Sequence, residues 1–199
     1  MDVGISAHAG QSDVDEENWQ FYSLSLRERY KNFRYQASSG YLQREEGQEG
    51  ASDLWLAVTW LRPKAVAAGW LDVRARLKVP TANENESLGT GSWDQDARLQ
   101  LLSPLGTVTL WNYVSFRRRG TSERFELQNS AGWGSGIQYR GYSLTYDGSQ
   151  PSQPGRSQRH SLSLIKQFKI DQLRLSPYIR WNNNASLGAG ISVLLKEAF

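Results

Sequence analysis

Along residues 70–79, WLDVRARLKV, every second position is apolar: Leu71, Val73, Ala75, Leu77 and Val79. Between them stand Asp72, Arg74, Arg76 and Lys78, after a leading Trp70. An extended chain projects successive side chains to opposite faces, so this is a strand with one apolar and one charged face. The period recurs from end to end. Residues 21–29 set Tyr22, Leu24 and Leu26 against Ser23, Ser25 and Arg27. Residues 33–37 set Phe33, Tyr35 and Ala37 against Arg34 and Gln36. Leu54, Leu56, Val58 and Trp60 alternate with Asp53, Trp55, Ala57 and Thr59. Ala97, Leu99 and Leu101 alternate with Asp94, Asp96, Arg98 and Gln100. Leu173, Leu175, Pro177, Ile179 and Trp181 alternate with Arg174, Ser176, Tyr178 and Arg180. The last strand sets Leu187, Ala189, Ile191, Val193 and Leu195 against Ser186, Gly188, Gly190, Ser192 and Lys196. A weaker alternation predicts strands near 107–117, 121–129, 136–147 and 157–170, and no segment reads as an amphipathic helix.

A two-faced strand fits a soluble sandwich, with its apolar face as core, or a membrane barrel, with its apolar face in lipid. The spacers favour the barrel. Long polar ones (10–18, GQSDVDEEN; 42–52, LQREEGQEGAS; 80–92, PTANENESLGTGS; 147–158, DGSQPSQPGRSQ) tend to alternate with shorter ones such as RERYKN, RPKAVAAG, SPLG, RRRGTS and DQ. NSAGWG at 129–134 breaks the rule. Long loops at one end and short turns at the other are the asymmetry of an outer-membrane barrel. A sandwich would also leave two sheet edges to protect, whereas a barrel has none. The expectation is an all-β transmembrane antiparallel up-and-down β-barrel of about 12 strands, one domain over residues 1–199, with both termini at the short-turn end.

Composition agrees. Eight Trp, nine Tyr, six Phe and 18 Gly sit in a chain with no Cys, 23 Lys plus Arg and 20 Asp plus Glu. A net charge of +3 is too mild to argue for nucleic acid. The missing Cys rules out disulfides and thiolate chemistry. No apolar run is long enough for a transmembrane helix. The start MDVGISAHAG is already strand-like, so a mature form without signal peptide is expected. Trp19 and Trp93 beside long spacers, Trp60 and Trp70 about a short turn, and Trp181 at a strand end suggest interfacial aromatic girdles.

The final strand, GISVLLKEAF, ends on Phe199 with Leu195, Val193 and Ile191 on one face. It resembles the C-terminal strand of bacterial outer-membrane barrels, which implies recognition by the barrel-assembly machinery in a Gram-negative outer membrane. Glu197 departs from the usual apolar position. A second resemblance lies in residues 49–115. The strand after Ser52-Asp53, the turn with Lys78, Pro80 and Thr81, and the run Leu88-Gly89-Thr90-Gly91-Ser92 resemble the putative transporter family of the meta-pathway of phenol degradation. Ala82 and Asn83 stand where that family tends to carry Gly and Asp, and Ser52 where it carries Gly. In length and basic lumen the chain is also similar to small monomeric porins for acidic oligosaccharides, without a shared motif.

If the apolar sets meet lipid, Arg27, Arg34, Asp72, Arg74, Arg76, Lys78, Asp94, Asp96, Arg98, Arg174 and Arg180 face the lumen as candidate permeation residues. Arginine's rigid fork suits carboxylates and phosphates, and a low-dielectric wall focuses the field of such charges. Pairing strand 70–79 with strand 94–102 would set Lys78 near Asp94 and Arg76 near Asp96. The ladder then reads as a structural brace or as an anion guide, and the two roles are compatible. Acids at Asp13, Asp15, Glu16, Glu17, Glu45, Glu46, Glu49, Glu84 and Glu86 form an expected rim. They suit a solvated mouth or divalent cations bridging lipopolysaccharide. His8 and His160 (before Ser161) have no evident orienting partner, so no catalytic residue is assigned, and two separated His without Cys offer no metal ligand spacing. The expected function is a passive, anion-preferring porin or channel for small solutes, cofactor-free, monomeric and surrounded by lipid and lipopolysaccharide. The alternative is a non-conducting structural or assembly barrel whose lumen its own charges plug.

Overall fold

A computed structural model describes residues 2–14, 17–44, 47–66, 69–86, 88–183 and 187–198. Fourteen strands form one antiparallel sheet that closes on itself. They are β1 (Asp2–Val14), β2 (Glu17–Tyr30), β3 (Phe33–Arg44), β4 (Glu49–Ala51), β5 (Leu54–Val66), β6 (Gly69–Val79) and β7 (Asp94–Leu105). Then come β8 (Val108–Arg118), β9 (Ser130–Tyr139), β10 (Tyr142–Ser149), β11 (Arg159–Lys166), β12 (Phe168–Ile170), β13 (Leu173–Asn182) and β14 (Leu187–Ala198). The short β4 continues β5 across Ser52 and Asp53, and β12 continues β11, so the barrel has 12 staves. Closure is made by β1 on β14, from Asp2 opposite Ala198 to Ser12 opposite Gly188.

Every strong alternation in the sequence falls on the expected face. The register puts Lys78 opposite Asp94 and Arg76 opposite Asp96. The outward set is exposed: Leu24 55%, Leu99 44%, Val114 58%. The inward set is polar and buried, including Ser6, Ser25, Thr59, Lys78, Asp94, Asp96, Thr145 and Ser163. Leu88, a loop residue, is the one buried hydrophobic side chain among the described residues. This inverts a soluble core: hydrocarbon is the solvent of the outer face, so apolar residues belong outside.

The hairpin ends differ from expectation. The spacers at 10–18, 27–32 and 62–69 are largely strand, and Asp13 and Glu17 lie in paired strands, with Val14 opposite Glu17. A 13-residue strand such as β1 is longer than the ~9–11 residues with which a tilted strand crosses the hydrocarbon core. Strand pairs therefore continue into water, where alternation no longer marks them. Residues 121–129 form no strand; they belong to a loop. Residues 136–147 hold two strands about a turn at Arg140 (φ 48) and Gly141 (φ 80), the positive-φ pair a tight type I′ hairpin requires. One strand lost and one gained leave the total at 12. Phe199, Ser186 and the acids Asp15, Glu16, Glu45 and Glu46 lie outside the described residues.

Arg at Val114, mid-strand on the outer face, should cost about 2–4 kcal/mol of folding free energy. A urea titration in lipid vesicles reads this, and a V114R variant as stable as its parent would show that this face does not meet hydrocarbon.

Candidate functional site in the barrel lumen

The site is the inner wall, and its densest part surrounds Lys78. The β4–β5 register slips by one residue: Ser38 pairs with Trp55, but Tyr41 pairs with Ala51. That bulge lies at Ser52 and Asp53, and bulges re-aim side chains. Asp53 accepts hydrogen bonds from the Thr81 and Ala82 amides at 3.2 and 3.1 Å and an ion pair from Lys78 at 3.1 Å. Lys78 also pairs with Asp94 at 3.3 Å and donates to the Thr90 hydroxyl. The Ser92 hydroxyl donates to Asp94 at 3.0 Å, and Arg119 reaches the other carboxylate oxygen at 2.6 Å. Three separated segments, 52–53, 78–82 and 88–94, thus meet in one buried knot. Gly89 is required there, because a Cβ would stand 2.9 Å from the Asp53 carboxylate.

The knot anchors the mouth. Arg124 donates to the Glu84 and Asn85 carbonyls at 2.6 Å each, and the Ser122 hydroxyl donates to the Glu84 carboxylate at 2.9 Å. Gln128 in turn donates to the Ser152 carbonyl from its backbone and to the Pro151 and Gln153 carbonyls from its side chain. Loops 80–93, 119–129 and 150–158 are therefore tied in series. Glu84 belongs to this clasp and not to a free acidic rim.

Deeper in the barrel, Arg76 pairs with Asp96 at 2.9 Å, and Arg117 reaches the same carboxylate at 3.5 Å. Both guanidinium groups lie by the Trp55 ring, 4.7 and 5.1 Å from its centroid. Arg74 and Arg98 stand directly opposite each other. That like-charge pair is relieved sideways: Arg74 donates to Gln36 at 3.4 Å, and Arg98 stacks 3.9 Å from the Tyr113 ring centroid. Arg27 and Arg34 share this wall on β2 and β3, and Asp72 lies one pleat from Arg74. Arg180 and Arg174 lie half-way round, on β13, where Arg180 donates to the Ser163 hydroxyl at 2.9 Å. All eleven expected residues carry inward positions. Arg27, Arg34, Arg74, Arg98, Arg174 and Arg180 have no ion-pair partner among the described residues.

Several lumen residues escaped the sequence reading. Arg117 and Arg119 sit in a basic run where alternation is blurred, although Arg117 shares parity with Tyr113 and Ser115. Tyr113 donates to Asp147 at 2.6 Å, and its ring covers Gly134, as Trp111 covers Gly136. Phe21, His8 and Tyr178 stack at 5.1 and 5.2 Å beside Gly10 and Gly190. Trp19, expected in a girdle, has an inward position opposite Ser12, because its parity is that of Phe21 and Ser23. His8 bonds the Tyr178 hydroxyl at 3.1 Å. His160 faces outward beside Trp133 and the Tyr146 hydroxyl, while Ser161 faces inward. The two are on opposite sides of the wall. No three His, Asp or Glu among the described residues gather as a metal site would need.

No protein-family model and no curated protein matches the sequence. Solved structures do share the architecture. A COG4313 outer membrane channel from Pseudomonas putida F1 superposes with TM-score 0.74 at 14% identity, over 98% of this chain and 95% of that one. The KdgM porin in complex with disordered oligogalacturonate gives 0.66 at 9%, over 98% and 99%. Outer membrane phospholipase A from Escherichia coli gives 0.53 at 12%, over 96% and 89%. At such identities the likeness establishes the outer-membrane barrel fold and leaves the activity to be argued from the lumen.

Asp94→Asn should leave Arg119 buried against a neutral amide, while Lys78 keeps Asp53, and cost about 3–5 kcal/mol. Adding Arg119→Met should recover part of that loss, since a buried charge then disappears with its partner. Urea unfolding of the reconstituted barrels measures both, and a D94N barrel of unchanged stability would refute the knot as an anchor.

Proposed function

We propose that the chain is a passive channel of a Gram-negative outer membrane that conducts small solutes with a preference for anions. The observation that carries the reading is the set of inward arginines with no carboxylate at ion-pair distance among the described residues, Arg27, Arg34, Arg74 and Arg98 on one wall and Arg174 and Arg180 on the other. Charges neutralised in pairs brace a wall; unneutralised ones in a low-dielectric tube set a potential that draws anions. The ion pairs of Lys78 and Arg76 take the bracing role, so the two roles fall to different residues. A channel and not a catalyst is supported further by His160 and Ser161 lying on opposite faces. The convergence of segments 52–53, 78–82 and 88–92 supports membership in the putative transporter family of the meta-pathway of phenol degradation. Residues 1–199 then act as one monomeric domain in lipid and lipopolysaccharide, delivered by the barrel-assembly machinery through the strand ending in Phe199.

A second reading has its own observation. The buried knot and the tied loops 80–93, 119–129 and 150–158 would also suit a closed barrel that serves as a structural or assembly partner. Conductance separates the two. In a planar bilayer under a salt gradient, discrete steps with a reversal potential on the anion side are expected. Arg74→Gln combined with Arg98→Gln should shift that potential toward zero. A verified folded barrel that passes no current would overturn the channel and favour the closed form.

A further inference from the structure

Inside the barrel a cavity of about 370 Å³ lies between the walls, lined by Arg98, Tyr113, Gly132, Asp147, Arg159 and Arg180 among others. Its charges are uneven. Asp96, at its edge, is already taken by Arg76 and Arg117. Asp147 accepts the Tyr113 hydroxyl. Arg98, Arg159 and Arg180 have no ion-pair partner among the described residues. Arg98 lies over the Tyr113 ring, its Cζ 3.9 Å from the centroid, and its buried Nε has no hydrogen-bond acceptor among the described residues. Buried donors normally find a partner, and a guanidinium held against a ring is organised to take an oxyanion with little entropy loss. Arg180 is fixed as well, through Ser163. Gly132 and Ser115 also line the cavity, the Ser115 hydroxyl packing where a Cβ at position 132 would stand, 2.8 Å away.

We infer that this cavity is a binding subsite for a small solute carrying a carboxylate or other oxyanion on a body of about one ring, gripped by Arg98 and Arg180 with Arg159 beside them. The inference rests on the channel reading and sharpens it from general anion preference to a place where the solute stops. The size follows from the volume, which is at the low end of the ~300–1,000 Å³ of ligand cavities. One ring fits, and an extended oligomer would have to thread past it.

The test uses D-glucuronate as the one-ring carboxylate, D-glucose as its neutral counterpart and inorganic phosphate as an oxyanion without a ring. Glucuronate added to single channels should interrupt the current in a concentration-dependent way, and glucose should not. Arg98→Gln and Arg180→Gln should each weaken the block by about tenfold or more, the size expected for one lost charged hydrogen bond. Arg118→Gln, on the outward face, should leave it unchanged. Each variant is first checked for folding by its heat-modifiable gel mobility. If R98Q does not fold, R180Q carries the test. A conducting barrel with no glucuronate block, or with equal block in R98Q and R180Q, overturns the subsite and leaves the channel standing. Equal block by glucose or by phosphate overturns the solute class. If the folded barrel does not conduct, calorimetric titration of the detergent-solubilised barrel with glucuronate decides. Binding that R98Q and R180Q abolish supports the subsite, and absence of wild-type binding overturns it.

Discussion

A backbone amide in hydrocarbon has no water to bond, and each one left unpaired costs several kcal/mol. The ladder between β1 and β14 meets that constraint for the whole sheet. It joins the two ends of the chain, from Asp2 opposite Ala198 to Ser12 opposite Gly188, and converts two exposed edges into one more pair of neighbours. Closure also decides the chemistry of each face. Once the sheet is a tube, one parity of every strand is outside and the other is enclosed. The charged set Asp72, Arg74, Arg76 and Lys78 then has nowhere to go but inward.

That enclosure explains why like charges tolerate one another here. On an open sheet, Arg74 and Arg98 side by side would turn away into water. In the tube they find lateral partners, Gln36 for one and the Tyr113 ring for the other. Glycine makes the second solution possible. Tyr113 lies flat only because Gly134 on the next strand has no side chain. An aromatic ring laid on a glycine stays close to the wall, and the arginine has its face to rest on.

Much of this was legible in the sequence, and the parts that were not share a cause. Period 2 reports a difference between two environments, so it marks the strand where lipid faces lumen and falls silent where both faces meet water. Hence the faces of β5–β7 and β13–β14, and the pairing of Lys78 with Asp94, followed from alternation, while the strand ends at Val14 and Val66 did not. The turn at Arg140–Gly141 did leave a trace. The outward residues change from odd (Ile137, Tyr139) to even (Tyr142, Leu144, Tyr146), and a two-residue turn produces such a change of phase. The knot was harder. Nothing in the spacing of Asp53 and Thr90 says that they share Lys78, because the bulge and the loop that bring them together are not periodic. The cradle of Arg98 and Arg180 joins strands on opposite sides of the tube, a relation that only closure creates.

With Leu88 the one buried hydrophobic side chain among the described residues, the barrel has no apolar interior to collapse around. In plain water the unfolded chain gains nothing by turning its leucines outward and its arginines inward; the drive would run the other way. The amphiphile that wets the outer face is therefore a component of the native state, as a prosthetic group is for some enzymes. Refolding should begin at a bilayer or micelle surface, with the strands acquiring their two faces from the boundary itself.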